Sequence, residues 1–155
     1  MKVYFLGTNG WYDSDLGNTL CVLVETKQAY IVFDAGSGLS KLDKYIKDSR
    51  PVFLFLSHFH LDHIIGFHAL NKFNFPKGLA VFGTLGIKKV FKVIVNLPYT
   101  MPLSMLNMKV RVAEIKKGLR FPFKLSFAKL HHSTQCYGYR LSADNKTLAF
   151  CTDTG

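Results

Sequence analysis

Short apolar runs interrupted by breaker residues define the first part of the chain. Lys2–Leu6 predicts a strand that ends at the cluster Gly7–Gly10, because glycine and asparagine interrupt regular structure. Two runs rich in β-branched and aromatic residues, Thr19–Thr26 and Ala29–Phe33, predict a β-hairpin. Apolar residues then recur at helical spacing and predict a helix that ends before Pro51; these residues are Leu39, Leu42, Tyr45 and Ile46.

The middle of the chain alternates strands and helices. Val52–Leu56 is apolar at every position, which is typical of an interior strand, and we expect helices to cover both of its faces. A helix is predicted over His63–Lys72 and a short strand over Leu79–Phe82. Thr84 is expected to cap a third helix that extends to Val95.

The last third of the chain predicts consecutive antiparallel strands instead of alternating strands and helices. They span Met108–Ile115, Leu119–Leu130, Tyr137–Ser142 and Thr147–Cys151. Strand–helix alternation followed by an antiparallel run is typical of an α/β layered domain with a mixed sheet. At 155 residues, 48% of them hydrophobic, the chain fits a single domain over residues 1–155.

Composition excludes several classes of protein. No apolar run approaches the roughly 20 residues that a membrane span needs. Met1–Gly7 is too short for the apolar region of a signal peptide and has no small-residue cleavage site. The three cysteines, Cys21, Cys136 and Cys151, form no close-spaced pair, and an odd number argues against a disulfide framework. We therefore expect a cytoplasmic protein with reduced thiols and no membrane partner.

Charge is strongly basic and unevenly placed. The net charge is +10, and Glu114 is the only acidic residue within a stretch that holds ten basic ones. Such a field attracts anions such as phosphate esters, nucleotides or RNA, although a solvated basic face without a partner is an equal alternative. The ten are Lys88, Lys89, Lys92, Lys109, Arg111, Lys116, Lys117, Arg120, Lys124 and Lys129.

The segment Ser57–Gly66 concentrates the candidate chemistry. It holds three of the six histidines in the pattern His58-x-His60-x-Asp62-His63, directly after the most apolar strand. Imidazole and carboxylate are ligands that zinc, manganese and iron accept. His58 and His60 project to the same side of an extended chain and can share one ion, while Asp62 and His63 can hold a second. The alternative is a set of loop histidines, with Asp62 capping the next helix.

This motif resembles the metal-binding motif of the metallo-β-lactamase superfamily, in its ribonuclease Z-like and phosphodiesterase branch. Four further segments are similar to elements of that branch in order and spacing: Phe5–Thr8, Phe33–Gly36, His132–Arg140 and Phe150–Gly155. The resemblance extends from end to end of the chain. It implies an α/β fold, a metallo-β-lactamase-like αββα sandwich of mixed sheets, with the family's final strands and helix missing. The domain is therefore expected to be incomplete at its C-terminus.

The resemblance also implies two divalent metal ions, zinc first, with manganese or iron as alternatives. The first ion would be bound by His58, His60 and His132, the second by Asp62 and His63, and Asp153 would bridge the two. Asp62 is expected to be the catalytic residue as well as a ligand.

Two of these assignments have open alternatives. Strand alternation does not decide between His131 and His132, and the spacing to Gly138–Arg140 favours His132, which leaves His131 as a neighbour or a substrate contact. Asp34 is expected to orient the ligand loop by hydrogen bonds; an ordinary turn aspartate is equally consistent with the sequence.

The resulting hypothesis is a metal-dependent hydrolase that cleaves a phosphodiester with a metal-bridging hydroxide. Its substrate would be an anionic small-molecule phosphodiester or RNA, and homo-oligomerisation is left open. One alternative is an endoribonuclease of the ribonuclease Z type, against which count the missing Gly-Glu-Gly element and the lack of an inserted arm. Another is a catalytically weak metal-binding half-domain that needs a partner chain or its missing C-terminus, since no histidine follows Asp153.

Overall fold

Two β-sheets form the framework of the protein, which a computed structural model describes over residues 1–155. The first sheet contains six strands in chain order: β1 (Lys2–Gly7), β2 (Cys21–Glu25), β3 (Tyr30–Phe33), β4 (Val52–Phe55), β5 (Leu79–Gly83) and β6 (Val110–Glu114). The second contains three: β7 (Lys124–Leu130), β8 (Cys136–Ala143) and β9 (Lys146–Phe150).

Strand direction changes within the first sheet. β1, β2 and β3 are antiparallel neighbours, whereas β3, β4, β5 and β6 run parallel, with Val32 opposite Leu54 and Leu54 opposite Val81. The carboxyl ends of the four parallel strands therefore meet at one edge. Ligand sites in sheets of this kind form at that edge, because the loops that leave the strands converge there.

Helical segments cover one face of the first sheet. Two are α-helices, α1 (Leu61–Ile64) and α2 (Ile87–Ile94), and three are 3₁₀-helices, Ser37–Lys44, Ile65–Lys72 and Leu103–Met105. None of these segments has the length and apolar character that crossing a bilayer requires.

The first sheet separates two hydrophobic cores. Because side chains alternate along a strand, Leu54 of β4 packs with the helical layer, whereas the neighbouring Phe55 faces the second sheet. The Phe55 ring lies 5.7 Å from the ring of Tyr139 on β8. The order of layers is thus helices, first sheet, second sheet, which confirms the mixed α/β sandwich but corrects the expectation that helices cover both faces of Val52–Leu56.

Most predicted strands form close to their expected positions, and the hairpin of β2 and β3 is confirmed. The turn between β8 and β9 also forms as expected, with Asp144 and Asn145 at positive φ (50° and 58°). That conformation matches the right-handed twist of the flanking strands, and aspartate and asparagine tolerate it better than most residues.

Two local predictions were wrong, and one predicted helix starts at a different residue. Thr84 does not cap α2; Gly86, at φ 91°, is the residue before the helix and makes no side-chain cap. The strand predicted at Met108–Ile115 joins the first sheet parallel to β5 rather than the antiparallel run. The predicted helix at His63–Lys72 begins earlier, at Leu61, and continues as a 3₁₀-helix from Ile65.

Candidate metal centre

Loops from both sheets bring the predicted ligands to one place. The segment that contains His58 and His60 leaves the carboxyl end of β4, and α1 begins directly after it with Asp62 and His63. His132 lies between β7 and β8, and Asp153 follows β9. The second sheet closes on this edge: the backbone N–H of Tyr137 donates to the carbonyl of Ser57 at 2.9 Å, and the Tyr139 hydroxyl donates to the carbonyl of Leu56 at 2.6 Å.

Four of the predicted ligands form one compact group. One potential ligand atom from each of His58, His60, His132 and Asp153 lies within 4.8 Å of the others. His132 Nε2 is 3.3 Å from His60 Nδ1, and the rings of His58 and His60 are 4.5 Å apart, edge to face. Three imidazoles packed around a carboxylate form a poor apolar core but a suitable donor set for a divalent ion.

The His58 side chain is fully buried, and its Nε2 atom has no hydrogen-bond partner. A buried polar atom without a partner is costly, so its presence requires an explanation such as an ion. Burial, together with the neighbouring charge of His63, lowers the pKa of His58 to about 3. The imidazole is therefore neutral at physiological pH, and Ser57 Oγ at 2.9 Å from Nδ1 leaves the Nε2 lone pair directed into the group.

The remaining predicted ligands meet at His63. Its Nε2 atom lies 3.4 Å from Asp62 Oδ2 and 3.3 Å from Asp153 Oδ2. Asp153 Oδ2 is also 3.5 Å from His58 Nε2, so this carboxylate stands between the two histidines. The residues present thus offer the imidazole and carboxylate donors that a divalent metal ion accepts.

Asp34 and Ser57 hold His58 and His63 in place by hydrogen bonds. The Asp34 side chain is fully buried and accepts hydrogen bonds from Ser57 N (2.6 Å) and Ser57 Oγ (2.7 Å). Its Oδ2 atom lies 2.8 Å from His63 Nδ1. Burial alone would lower the pKa of His63, but the bond and the charge of Asp34, with a smaller contribution from Asp153, raise it overall. A proton held on Nδ1 leaves Nε2 as the metal-facing nitrogen.

Close backbone packing joins the Asp34 loop to the motif. The amide of Ala35 donates to the carbonyl of His63 at 2.8 Å, and the amide of Gly66 donates to the carbonyl of Ala35 at 2.8 Å. Only glycine fits at position 66, because a Cβ atom there would lie 2.1 Å from the Gly36 carbonyl oxygen. The loop after β3 and the helix after the motif therefore hold Asp34 against His63.

Sequence reasoning missed three residues at this site. Ser57 bridges Asp34 and His58; its position between the apolar strand and the first histidine was the available signal. Trp11 donates its backbone N–H to Asp62 Oδ2 at 2.9 Å, a contact across 51 positions that no local pattern indicates. Cys136 is buried with Sγ 3.9 Å from His58 Nδ1, and burial raises the pKa of its thiol to about 11.

Other candidate residues lie outside the group. His131 is exposed, unlike the half-buried His132 beside it. His68 is also exposed and contacts the carbonyl of Ile65. Arg140 is exposed on β8, next to the buried Tyr139, and makes no hydrogen bond or ion pair with the group.

Comparison with known proteins identifies relatives of the whole chain. A family model for the metallo-beta-lactamase superfamily matches residues 14–81. Ribonuclease BN of Proteus mirabilis is 33% identical over 159 residues, which cover 94% of this chain and 51% of that protein. Ribonuclease Z of Listeria monocytogenes is 28% identical, covering 99% of this chain and 53% of its own length. The chain thus spans about half the length of the curated relatives it matches.

The fold is similar to that of solved structures. Human tRNase Z, short form, superposes with a TM-score of 0.76 at 18% identity, over 99% of this chain and 69% of the human one. At this level of identity the likeness establishes the fold.

Proposed function

Because this chain belongs to the metallo-β-lactamase superfamily, we propose that it is a metal-dependent hydrolase that cleaves phosphodiester bonds, with RNA as its substrate class. The observation that carries the proposal is the convergence of four ligand atoms, from His58, His60, His132 and Asp153, within 4.8 Å. The names of its curated relatives, ribonuclease BN and ribonuclease Z, favour RNA.

The proposed centre holds two ions. His58, His60, His132 and Asp153 would bind the first, and Asp62, His63 and Asp153 the second. Zinc is the proposed metal because three imidazoles suit it, and manganese or iron would accept the same ligands. When bound, the ions would lower the pKa of a coordinated water and offset the charge that develops at phosphorus.

The chain's own residues prepare this chemistry. His58 stays neutral and offers an unpaired Nε2 lone pair, and Asp34 fixes the ring of His63. The backbone N–H of Trp11 donates to Asp62 Oδ2, the same oxygen that lies 3.4 Å from His63 Nε2, and so holds this carboxylate beside the centre. Ligands held in this way before the metal arrives lose little conformational freedom on binding, which strengthens the site.

Charge at the same edge favours an extended polyanion. Lys88 and Lys89 stand in the first turn of α2, which follows the carboxyl end of β5, and Lys116 and Lys117 follow the end of β6. All four are exposed. Since these strands are parallel to β4, their basic loops lie on the edge that carries the histidines, where they would attract phosphates.

The test combines metal content with turnover. We expect two ions per chain by elemental analysis, hydrolysis of bis(p-nitrophenyl) phosphate, and cleavage of an oligoribonucleotide that declines steeply with salt. Asp62→Ala should reduce turnover by more than about 100-fold, since losing even a partner outside the ligand set typically costs 10- to 100-fold. Asp43→Ala is the matched control, because Asp43 pairs with Lys72 away from the centre.

A chain that holds one ion or none and shows no turnover would contradict the proposal. That result would favour a metal-binding half-domain that requires a partner chain or further sequence. Hydrolysis of the small diester that Asp62→Ala leaves unchanged would refute the assignment of the site.

A further inference from the structure

Two aromatic side chains stand exposed beside the metal centre. Trp11 and Tyr12 lie in the loop between β1 and β2 and are 85% and 74% exposed. Single exposed apolar residues are common and need no explanation. These two differ because the backbone of Trp11 is bonded to Asp62, one of the proposed ligands, at 2.9 Å.

The backbone at Trp11 is strained. Trp11 has a φ of 63°, and the amide of Tyr12 donates to the carbonyl of Gly10 at 2.8 Å, which closes a three-residue turn around Trp11. A turn of this kind with positive φ at its centre is rare, and a bulky residue rarely adopts it. Strain of this type persists where the surroundings hold it, and it concentrates at functional sites.

The rest of the loop is held in place by side chains. Asp13 accepts hydrogen bonds from the amide of Thr19 at 2.8 Å, from Asn18 at 3.1 Å and from the Ser37 hydroxyl. Asn9 donates to the carbonyl of Gly17 at 2.8 Å. The two rings are therefore presented by an ordered loop, so a ligand that contacts them has little loop entropy to overcome.

We propose that Trp11 and Tyr12 form a stacking platform for a nucleobase of the substrate, next to the phosphodiester that the metal centre would hold. This inference rests on the proposed function and adds the recognition of the base to it. Aromatic rings stack on any nucleobase, since every base has a π-face, and basic side chains hold the intervening phosphates. The exposed pair and the adjacent ligands supply the parts of such a subsite. The net charge of +10 attracts a polyanion to the chain as a whole.

The sole tryptophan of the chain reports on the platform directly. Adenosine 5′-monophosphate should quench the fluorescence of Trp11 saturably in the full chain, whereas ribose 5-phosphate, which carries the same phosphate without a base, should not. Equal effects of the two, or none, would overturn the proposal. A change that follows protein concentration instead of nucleotide would also overturn it, because a second copy of the chain would then cover the ring.

Variants test the same point by binding of a labelled oligoribonucleotide, measured by anisotropy. Trp11→Leu should weaken binding by roughly 5- to 150-fold, the range found for loss of one stacked base, and Trp11→Phe should restore most of it. Leu16→Ala should bind as the parent does, because Leu16 is 97% exposed in the same loop but has no ring. Unchanged binding by Trp11→Leu would refute the platform.

The two proposals fail separately. Quenching by the nucleotide without any phosphodiester hydrolysis would refute the proposed function and leave the platform in place. Hydrolysis of RNA without nucleotide-specific quenching would do the reverse.

Discussion

Replacing Asp34 with asparagine tests whether the proposed second metal site depends on one buried carboxylate. Asp34 receives three hydrogen bonds: two from Ser57, at 2.6 and 2.7 Å, and one from His63 Nδ1 at 2.8 Å. Asparagine keeps the shape and one acceptor oxygen, but places an NH₂ group toward one side. If the NH₂ group faces His63, it can donate a hydrogen bond only when Nδ1 is the acceptor. The ring proton then moves to Nε2, where it occupies the lone pair that would bind the metal.

The magnitude follows from this tautomer change. Loss of an outer partner of a metal-binding histidine typically lowers affinity 10- to 100-fold, which corresponds to about 1.4–2.7 kcal/mol. The metal-free chain should lose less than it would with alanine, because Ser57 N–H keeps its acceptor; about 1–3 kcal/mol is expected for weakened charge-assisted bonds. The second ion, at His63, should weaken more than the first, whose histidines do not contact Asp34.

Competition with a chromogenic chelator measures both metal affinities, and urea unfolding of the metal-free chain measures stability. Asp43→Asn is the matched control, since Asp43 pairs with Lys72 on the surface and contacts no histidine. The reasoning fails if Asp34→Asn binds the second ion as tightly as the parent chain. It also fails if the two ions weaken equally, because the loss would then reflect general loosening of the loop.

Two further predictions concern packing and acid stability. Gly66→Ala should lower the free energy of unfolding by about 3 kcal/mol or more, because its Cβ atom would meet the carbonyl oxygen of Gly36 at 2.1 Å. Gly10→Ala is the control: a Cβ atom there has no atom within 4 Å, so stability should change by less than about 0.5 kcal/mol. Urea unfolding compares the two variants. A hydrogen bond from Arg50 lowers the pKa of Asp48 to about 2 from 3.8, so its stabilising contribution is present above about pH 4 and lost as the pH falls toward 2. Asp48→Asn should flatten that part of a stability–pH profile, by a small amount because the group is exposed, and an unchanged profile would show that the pair contributes nothing.

The strands were predictable because the residue types in each strand match the burial of its two faces. β4 is apolar throughout, and the structure buries alternate residues against helices and against the second sheet. The hydrophobic pattern shows that a strand face is buried, but it does not show whether a helix or a second sheet covers that face. The direction of β6 was predicted wrongly because its residues alternate as in an antiparallel strand, whereas the helical connection through α2 returns the chain parallel to β5.

The candidate site also has a part that the sequence reveals and a part that it does not. The motif from His58 to His63 is local and visible, whereas His132 was favoured over His131 only through a resemblance; the structure leaves His131 exposed and places His132 at 3.3 Å from His60. The supporting contacts are long-range, since Ser57 meets Asp34 across 23 positions. Periodicity carries no information about such pairs.

Backbone strain explains why local propensity is least informative at this site. Five residues other than glycine have positive φ; two form the turn between β8 and β9, and the other three are Trp11, Asp34 and Asp153, all at the metal centre. Hydrogen bonds hold two of the three, since Asp34 accepts from Ser57 and Trp11 donates to Asp62. The Asp153 carboxylate lies 3.3 Å from His63 Nε2 and 3.5 Å from His58 Nε2, and its ligand atom is within 4.8 Å of those of His60 and His132 as well. If a cation binds among these groups as proposed, metal binding should order the segment that follows β9.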